Sequence, residues 1–423
     1  MTSAGTAGNS APRIWTTRVA IAAFASFAFA YFLSGALRGV TATLAPVFSS
    51  ELGLTAGDLG LLSGAYFLGF AVTQLPLGSA LDRFGPKRVL LAFLAVAVLG
   101  CAAFALARGL EALSLARVLI GIGVSACLMA PMTAYRHGLS AESQMRANSW
   151  MLMAGSLGMV ASTLPVQWLL PWLGWRGLFW LVAALAALSM LGIAASVPRD
   201  RPAAPSAQAQ ASAGYGAVWR HPTFLRLAPL GLLHYGGMIA VQALWAGPWM
   251  VQVGGATPTE SARGLFAINV AMLLAFLSWG LIVPRLHARG WNAQRIITWG
   301  VPLNLVILLV AVLLGRHAGA LVWALYCVSA TCMSLAQPAV GQAFDRAWAG
   351  RALSAYNLVV FGGIFAIQWG LGLAIDLFRT LGWTTLSAFQ GAFALLWCAG
   401  LASYLWFVLR DDRNPVASRP IDP

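Results

Sequence analysis

Charge is scarce in this chain. Only 9% of its 423 residues are charged, with 12 acidic residues against 26 basic ones, while 60% are hydrophobic. A soluble domain of this length could not bury so much apolar surface in one core. The composition therefore excludes a soluble protein and indicates an integral membrane protein.

The chain also has few of the residues that build catalytic or redox sites. Its five cysteines all fall in apolar runs, which argues against a disulfide framework. The sequence contains no Walker loop, haem motif, metal-ligand cluster or nucleophile elbow. We therefore expect no cofactor, no bound metal and no enzymatic activity, and any work the protein does must draw on gradients rather than on ATP.

Long apolar runs are what the sequence has in abundance. About 20 apolar residues cross a bilayer core of about 30 Å as a helix. Continuous rather than alternating hydrophobicity favours helices over a barrel. The sequence predicts an all-α membrane protein with twelve transmembrane helices, called spans 1 to 12 in chain order: 17–41, 57–81, 86–107, 110–136, 147–170, 175–197, 223–253, 260–286, 293–315, 317–344, 352–378 and 383–409.

The net charge of +14 follows from membrane topology rather than from nucleic-acid binding. In this arrangement most basic residues fall on one side of the bilayer, so the positive-inside rule places both termini in the cytoplasm. The surplus charge suits contact with anionic lipids. One lysine among many arginines is typical of a GC-rich bacterium, and we expect a multi-pass protein of the bacterial cytoplasmic (inner) membrane.

The chain divides into two related halves. Arg-Ala-x-Ser opens the fifth span of each half, at 146–149 and 351–354, and Gly158 and Gly363 follow at the same offset. A stretch rich in Pro, Ala, Ser and Gln separates the halves and reads as a linker. The sequence thus predicts two pseudosymmetric six-helix bundles with these boundaries: 1–197, a cytoplasmic linker at 198–222, and 223–423.

The loop between spans 2 and 3 carries the most specific pattern. Residues 78–88 read Gly-Ser-Ala-Leu-Asp-Arg-Phe-Gly-Pro-Lys-Arg. This closely resembles motif A of the major facilitator superfamily (MFS), G-x-L-x-D-R-x-G-x-[RK]-[RK], and 117–123 in span 4 is similar to its motif B. The resemblance implies secondary transport by alternating access and a cytoplasmic gate. The gating residues that it implies are Gly78, Asp82, Arg83, Gly85, Lys87, Arg88 and Arg117.

The resemblance also implies how that gate closes. We expect the Asp82 carboxylate to accept hydrogen bonds at a helix N-terminus of the other half. The neighbouring bases would add ion pairs across the halves. Arg117 has a second interpretation, as a structural residue among close-packing glycines.

Arg38 is the leading candidate for substrate binding. No carboxylate lies in the middle of a span, and a charge inside a span is costly and marks a functional candidate. Arg38 shares a helix face with Tyr31 and Ser34. Its spacing to Pro46 resembles span 1 of organophosphate/phosphate antiporters, in which the arginine binds an anionic group. A lone guanidinium suits a carboxylate; the alternative is a structural partner of helix carbonyls.

Polar residues of spans 7, 10 and 11 are further candidates. His234 titrates near neutrality and is the candidate for proton coupling, with a structural, neutral histidine as the alternative. It shares a face with Gln242 and Trp245. Gln337 and Asn357 either line a cavity or join helices. The candidate substrate-binding residues are Arg38, Tyr31, Ser34, His234, Gln242, Trp245, Gln337 and Asn357.

These features predict a transporter of a small organic anion, most simply a carboxylate. Proton symport is the first choice and exchange against a counter-anion the second. An exporter of a neutral or amphipathic compound, a copper or other metal carrier, and a non-transporting membrane sensor remain as alternatives. The expected partners are the small-molecule substrate, the coupling proton or counter-anion and the lipid bilayer, with no nucleic acid, and the expected state is a monomer.

Overall fold

The computed structural model describes residues 15–198 and 215–410, and every regular element in these ranges is helical. Most of the predicted linker, 199–214, lies outside the described residues. Its last part holds a short helix, Gly216–Arg220, that ends before Pro222. The linker and the exact boundaries of the halves stay predictions.

The N-terminal half contains spans 1 to 6. Span 1 is one long helix, whereas span 2 is a pair of helices bent by 46° at Thr73. Span 5 continues into the helix Leu164–Ser196, and span 6 follows a break in that helix at Gly174, where φ is 60°. The bounds are Thr17–Leu52, Ala56–Val72 with Gln74–Phe84, Pro86–Leu106, Leu110–Arg136, Ala141–Ala161 with 164–173, and 175–196.

The C-terminal half contains spans 7 to 12. Span 7 alternates between α-helical and wider π-helical turns, which the structure records in three places. The bounds are Pro222–Val253, Pro258–Ala288, Ala293–His317, Ala320–Gln342, Arg346–Thr380 and Thr385–Leu409.

Ten of the described helices are long and apolar enough to cross a membrane, and the bent pair of span 2 adds an eleventh. Span 5, whose two pieces meet at Thr163, completes the set. The predicted all-α fold of twelve transmembrane helices is confirmed.

Polar residues at the water-facing ends set where several spans begin. Thr55 and Asp58 form a capping box at the outer start of span 2, and Thr257 and Glu260 form another at span 8. Each pair satisfies two backbone amides that no helical carbonyl can reach. At the inner end of span 2, Gly85 has a φ of 82°, which only glycine adopts without strain.

The internal repeat is visible in the packing. A Cβ at Gly158 of span 5 would lie 2.0 Å from the Phe32 carbonyl oxygen of span 1. The equivalent Gly363 of span 11 approaches Leu232 of span 7, with a Cβ position 2.5 Å from its Cγ. Equivalent glycines thus let equivalent helices pack closely in each half, as the shared offsets predict.

Candidate functional site

The Arg38 side chain lies where the two halves meet. It projects from span 1 beside Tyr31, and its guanidinium carbon is 6.0 Å from the centre of the Phe70 ring on span 2. Its charge acts on the hydroxyl groups of Tyr31 and Tyr66 in the N-terminal half and of Tyr235 in the C-terminal half. We call this group, together with Ser34, the Arg38 cluster: Tyr31, Ser34, Arg38, Tyr66, Phe70 and Tyr235.

The cluster holds a positive charge with unused hydrogen-bonding capacity. Arg38 Nε and Ser34 Oγ are buried and have no hydrogen-bond partner among the described residues. The one ion pair between described residues joins Arg146 and Glu142, 3.6 Å apart and largely exposed. The described acidic side chains lie near helix ends, so the cluster contains no carboxylate to neutralise Arg38.

Arg117 adds a fully buried positive charge next to the cluster. Its Nη1 donates to the Leu37 carbonyl at 3.0 Å, its Nη2 contacts Thr41 Oγ1, and its guanidinium carbon is 5.5 Å from the Tyr66 ring centre. These contacts tie span 4 to span 1 inside the N-terminal half. The geometry therefore favours the structural interpretation of Arg117 over a role in the cytoplasmic gate.

His234 is placed inside the C-terminal half. Its Nδ1 is 3.1 Å from Asn304 Oδ1 on span 9, and its Nε2 is 3.2 Å from the Gly400 carbonyl on span 12. Asn304 is held in this orientation because its Nδ2 donates to the Tyr326 carbonyl and to Ser329 Oγ. Both ring nitrogens thus face oxygen atoms, and the ring is buried away from the Arg38 cluster.

The rest of the span 7 stripe also faces inward. Gln242 Nε2 donates to Asn269 Oδ1 on span 8 at 2.9 Å, and Trp245 Nε1 donates to the Gln368 carbonyl on span 11 at 3.2 Å. The predicted stripe is real, but it packs against other helices. Adjacent helical residues point about 100° apart, so the neighbour of His234, Tyr235, faces another way and lies within electrostatic range of Arg38.

Gln337 and Asn357 belong to an amide chain that crosses the halves. Gln337 Nε2 donates to Asn357 Oδ1 at 2.9 Å, and Asn357 Nδ2 donates to Gln74 Oε1 on span 2 at 3.3 Å. One turn toward the outer face, Phe70 and Phe361 pack with ring centres 4.3 Å apart. The two predicted residues therefore join spans 10 and 11 to span 2, on the side of the cluster toward the predicted cytoplasmic face.

The latch expected of the predicted cytoplasmic gate is not made between the described residues. Asp82 is exposed, and no hydrogen bond or ion pair between described residues involves its carboxylate. Arg83 and Arg88 are exposed too, and a Cβ at Gly78 would meet no atom within 4 Å. Lys87 Nζ instead donates to the carbonyls of Ala194, at 2.7 Å, and Val197, which hold span 3 to span 6 in the same half.

A carboxylate latch of the expected kind occurs at the opposite end of the bundle, the predicted outer face. Asp376 near the outer end of span 11 accepts from the backbone amides of Ala56, at 3.1 Å, and Gly57, at 2.7 Å. These amides open the first turn of span 2, where the helix dipole favours a negative charge. The latch joins the C-terminal half to the N-terminal half.

Below this latch, spans 2 and 11 run in close antiparallel contact. A Cβ at Gly60 would lie 2.3 Å from the Gln368 carbonyl oxygen, and one at Gly372 would lie 2.3 Å from that of Ala56. We call this contact, from Ala56 to Gly64 and from Phe365 to Asp376, the outer seam. Small residues make the backbones' close approach possible. The halves are thus joined at the predicted outer ends of spans 2 and 11, while no contact between described residues forms the predicted inner latch.

The sequence reasoning missed several residues at these places. Tyr66, Tyr235 and Asp376 were not among its candidates. The glycines at 57, 60 and 64, spaced three and four apart on span 2, are a small-residue signal that predicts a close helix contact and would have pointed to the outer seam. No comparable signal singles out the tyrosines.

No group of three or more His, Cys, Asp or Glu side chains that could hold a metal ion occurs within 15–198 and 215–410. His234 has Asn304 and Gly400 at its nitrogens rather than sulfur ligands.

The sequence is similar to drug-resistance proteins and to a transporter over parts of its length. It is 30% identical over 168 residues to the chloramphenicol resistance protein of Streptomyces lividans, covering 40% of this chain and 43% of the relative. It is 26% identical to the multidrug resistance protein MdtM of Salmonella typhimurium, covering 61% and 60%. It is 28% identical to the 4-hydroxybenzoate transporter PcaK of Acinetobacter baylyi, covering 35% and 32%. The matches thus span less than two thirds of each of these relatives.

Solved structures share the fold across nearly the whole chain. The POT family transporter PepTSo has a TM-score of 0.74 at 13% identity, covering 94% of this chain and 98% of that one. The D-xylose-proton symporter has a TM-score of 0.72 at 16% identity, covering 92% and 96%. Both names are those of transporters rather than enzymes.

The family model agrees with the fold and with the loop motif. The model of the Major Facilitator Superfamily matches residues 27–368, which include most of both halves. The chain belongs to the Major Facilitator Superfamily.

Proposed function

We propose that this protein is a secondary transporter that moves a small organic anion by alternating access, with Arg38 as the residue that binds the anion. The observation that carries the proposal is a half-buried arginine where the halves meet, whose Nε is buried without a hydrogen-bond partner among the described residues and which has no carboxylate among its described neighbours. An arginine at the centre of a membrane helix costs about 2.5–3.5 kcal/mol on insertion scales. An anionic substrate would offset that cost.

The charge and donor set favour a monocarboxylate. A guanidinium offers two parallel N–H groups that match the two oxygens of one carboxylate. Arg117 does not compete as a second ligand, because its Nη atoms are committed to Leu37 and Thr41. With one available guanidinium, a dianion such as a phosphate ester would keep an unpaired charge in a low-dielectric site. One partial relative is named for 4-hydroxybenzoate and another for a hexuronate, both organic anions.

The described contacts correspond to the inward-facing state of an alternating-access cycle. The outer seam and the Asp376 latch hold the outer ends together, while the Asp82 carboxylate has no hydrogen bond or ion pair with another described residue. In the opposite state, Asp82 would accept from a helix N-terminus of the C-terminal half, and the Asp376 latch would open. The two carboxylates then act in alternation at the two faces.

Proton symport is the proposed mode of coupling, with His234 as the carrier. A neutral imidazole has one N–H, so one of its two oxygen contacts lacks a proton, whereas a protonated ring donates to both. Because His234 packs inside the C-terminal half, its protonation would act through spans 7, 9 and 12 rather than by touching the substrate. We place the protein in the bacterial cytoplasmic membrane, as a monomer with cytoplasmic termini.

Efflux of an amphipathic compound is the second candidate function. Partial relatives are named as a chloramphenicol resistance protein, the multidrug resistance protein MdtM and the multidrug transporter MdfA, which supports this candidate. The aromatic side chains around Arg38 suit an apolar substrate as well as they suit the body of an organic acid.

The test is a binding and transport screen of the full chain. Thermal shift of the purified protein against carboxylates, phosphate and drugs identifies the ligand class, and uptake into proteoliposomes follows. Arg38→Lys should lose most anion binding because a point charge cannot replace the planar fork. Arg146→Lys, at an exposed ion pair, is the matched control and should behave like the parent. Normal anion transport by Arg38→Ala would contradict the proposal.

A further inference from the structure

Span 2 is bent where its two helices meet. The outer segment, Ala56–Val72, and the inner segment, Gln74–Phe84, are inclined by 46° to each other on either side of Thr73. Pro76 in the first turn of the inner segment has no N–H to donate to the Val72 carbonyl, and its ring crowds that carbonyl. Proline is a common cause of sharp helix kinks. The sequence of span 2 therefore favours a bend at this point.

Two side chains donate to one backbone carbonyl at this bend. The Phe70 carbonyl accepts from Thr73 Oγ1 at 2.8 Å and from Gln74 Nε2 at 3.1 Å. Side-chain donors of this kind compete with the helical backbone and bend a helix. Thr73 and Gln74 are both buried, so these bonds are shielded from water. The two donors thus stabilise the bent form of span 2.

The Gln74 amide also connects the bend to the C-terminal half. Its Oε1 accepts from Asn357 Nδ2 on span 11 at 3.3 Å, and Asn357 Oδ1 accepts from Gln337 Nε2 on span 10 at 2.9 Å. We call these three amides, together with the Phe70 carbonyl on which they end, the amide chain. A shift of span 11 therefore acts on the Gln74 side chain and, through it, on the bend.

The polarity of the amide chain is fixed at the bend. A carbonyl oxygen can only accept, so Gln74 must turn its NH₂ group to Phe70 and its oxygen to Asn357. Asn357 must then donate to Gln74 and accept from Gln337. Half a turn of the Gln74 amide would bring oxygen against oxygen at one end and nitrogen against nitrogen at the other. The chain therefore has one hydrogen-bonded arrangement, and an apolar group at position 357 removes the support of Gln74.

The bend marks a change along the contact between spans 2 and 11. On its outer side, the outer seam and then the Phe70–Phe361 ring pair join the two spans. On its inner side, a Cβ at Gly78 would meet no atom within 4 Å, and the Asp82 carboxylate has no hydrogen bond or ion pair with another described residue. The position of Asp82 thus depends on the angle between the two segments at Thr73.

We propose that the amide chain is a conformational device by which the C-terminal half sets the bend of span 2, and with it the position of the loop that carries Asp82. The bond between Asn357 and Gln74 forms only while the middle of span 11 lies against span 2. When that bond is made, Gln74 is held as a donor to Phe70 and the inner segment keeps its angle. When it breaks, the Gln74 amide is free to rotate. The inference goes beyond the proposed function, since it holds for any substrate that the halves enclose.

Pulsed electron resonance between spin labels at Ser79 and Ala141 tests the device in the full-length protein in nanodiscs, without substrate. Both positions are exposed and lie in the N-terminal half, one on the inner segment and one at the start of span 5. Their distance therefore reports the bend rather than the separation of the halves. Cys398 is replaced first. Asn357→Leu, although it lies in the other half, should raise the population of a second, relaxed distance about two- to tenfold, as the loss of one neutral hydrogen bond gives.

Gln74→Leu and the double variant show whether the two residues act through one chain. Gln74→Leu removes the donor to Phe70 and should change the Ser79–Ala141 distance at least as much as Asn357→Leu does. The double variant should match Gln74→Leu alone, because contacts in one hydrogen-bond network are not additive. Effects that add in the double variant, or a parental distance distribution in Asn357→Leu, would overturn the inference.

Gln390→Leu is the matched control. Gln390 Nε2 donates to the Val312 carbonyl at 2.7 Å, a bond that joins spans 12 and 9 inside the C-terminal half. Because the readout needs no ligand, it holds whether or not the organic-anion proposal fails. The control should keep the parental Ser79–Ala141 distance. An equal change in Gln390→Leu would show that the loss of any interhelical amide bond relaxes span 2, and that result also overturns the inference.

Discussion

The outer latch provides the sharpest test of the conformational cycle. Asp376→Asn removes the charge that faces the Ala56 and Gly57 amides and leaves at most one good acceptor for two donors. Hydrogen bonds to a charged group contribute about 1.5–3 kcal/mol each when they are well buried. Asp376 is half-buried at a water-facing end, so we expect the loss of its two hydrogen bonds to destabilise the inward-facing state by about 1–2 kcal/mol in total. This corresponds to a shift of roughly 5- to 30-fold in the equilibrium toward the outward-facing state.

Pulsed electron resonance distances between spin labels measure that shift. One label pair, at Arg108 and Arg316, reports the outer face, and a second pair, at Ser140 and Arg289, reports the inner face; all four positions are exposed. Cys398 is the one exposed cysteine in the described ranges and is replaced first. In Asp376→Asn, the outer distance distribution should move to longer values and the inner one to shorter values.

Asp58→Asn is the matched control for this prediction. Asp58 lies at the same helix N-terminus, but its carboxylate accepts from Thr55 within the N-terminal half. It should leave the populations of the two states unchanged. Unchanged distances in Asp376→Asn, or an equal shift in Asp58→Asn, would show that the latch does not hold the outer face closed.

Three further predictions concern the gate, the seam and coupling. Asp82→Asn should reduce transport at normal expression and favour the inward-facing distances above; an active variant with parental distances contradicts the inner latch. Gly60→Ala should hinder closure of the outer seam, because its Cβ would lie 2.3 Å from a carbonyl oxygen, whereas Gly370→Ala on span 11 meets no atom within 4 Å and serves as the control. His234→Gln should keep counterflow exchange in proteoliposomes but lose proton-driven accumulation, since an amide does not titrate near neutrality. If exchange and accumulation both keep the parental pH profile in this variant, His234 has a structural role only.

The sequence was sufficient for the fold because each span is a long apolar run with polar ends. The bilayer forces such a run into a helix, and the glycine-rich loop after span 2 resembles a specific family motif. The face of span 1 that carries Tyr31, Ser34 and Arg38 was also predictable, since residues three and four apart share a helix face.

The sequence could not predict in the same way which neighbouring helix a polar helix face packs against. The span 7 stripe of His234, Gln242 and Trp245 follows from helical spacing, yet spacing gives no information on whether a polar stripe points to a cavity or to another helix. Here each member finds its partner on another helix of the C-terminal half. Tyr235 reaches Arg38 because of tertiary packing alone, and a tyrosine in an apolar run carries no sign of that role.

The distribution of carboxylates explains how a protein with so few acids can still have two states. Asp58 and Glu260 cap their own helices, and Glu51 accepts from Trp175 Nε1 within the N-terminal half at 2.9 Å. Asp376 is different because the helix N-terminus to which it binds, that of span 2, belongs to the other half. Its hydrogen bonds therefore break when the outer ends of the halves separate. An acid in this position adds to the energy difference between the states without placing a charge in the bilayer centre. Substrate binding would then act on Arg38 and Tyr235, which come from opposite halves. Closure of the inner ends around the bound anion would be the step that breaks the hydrogen bonds of Asp376.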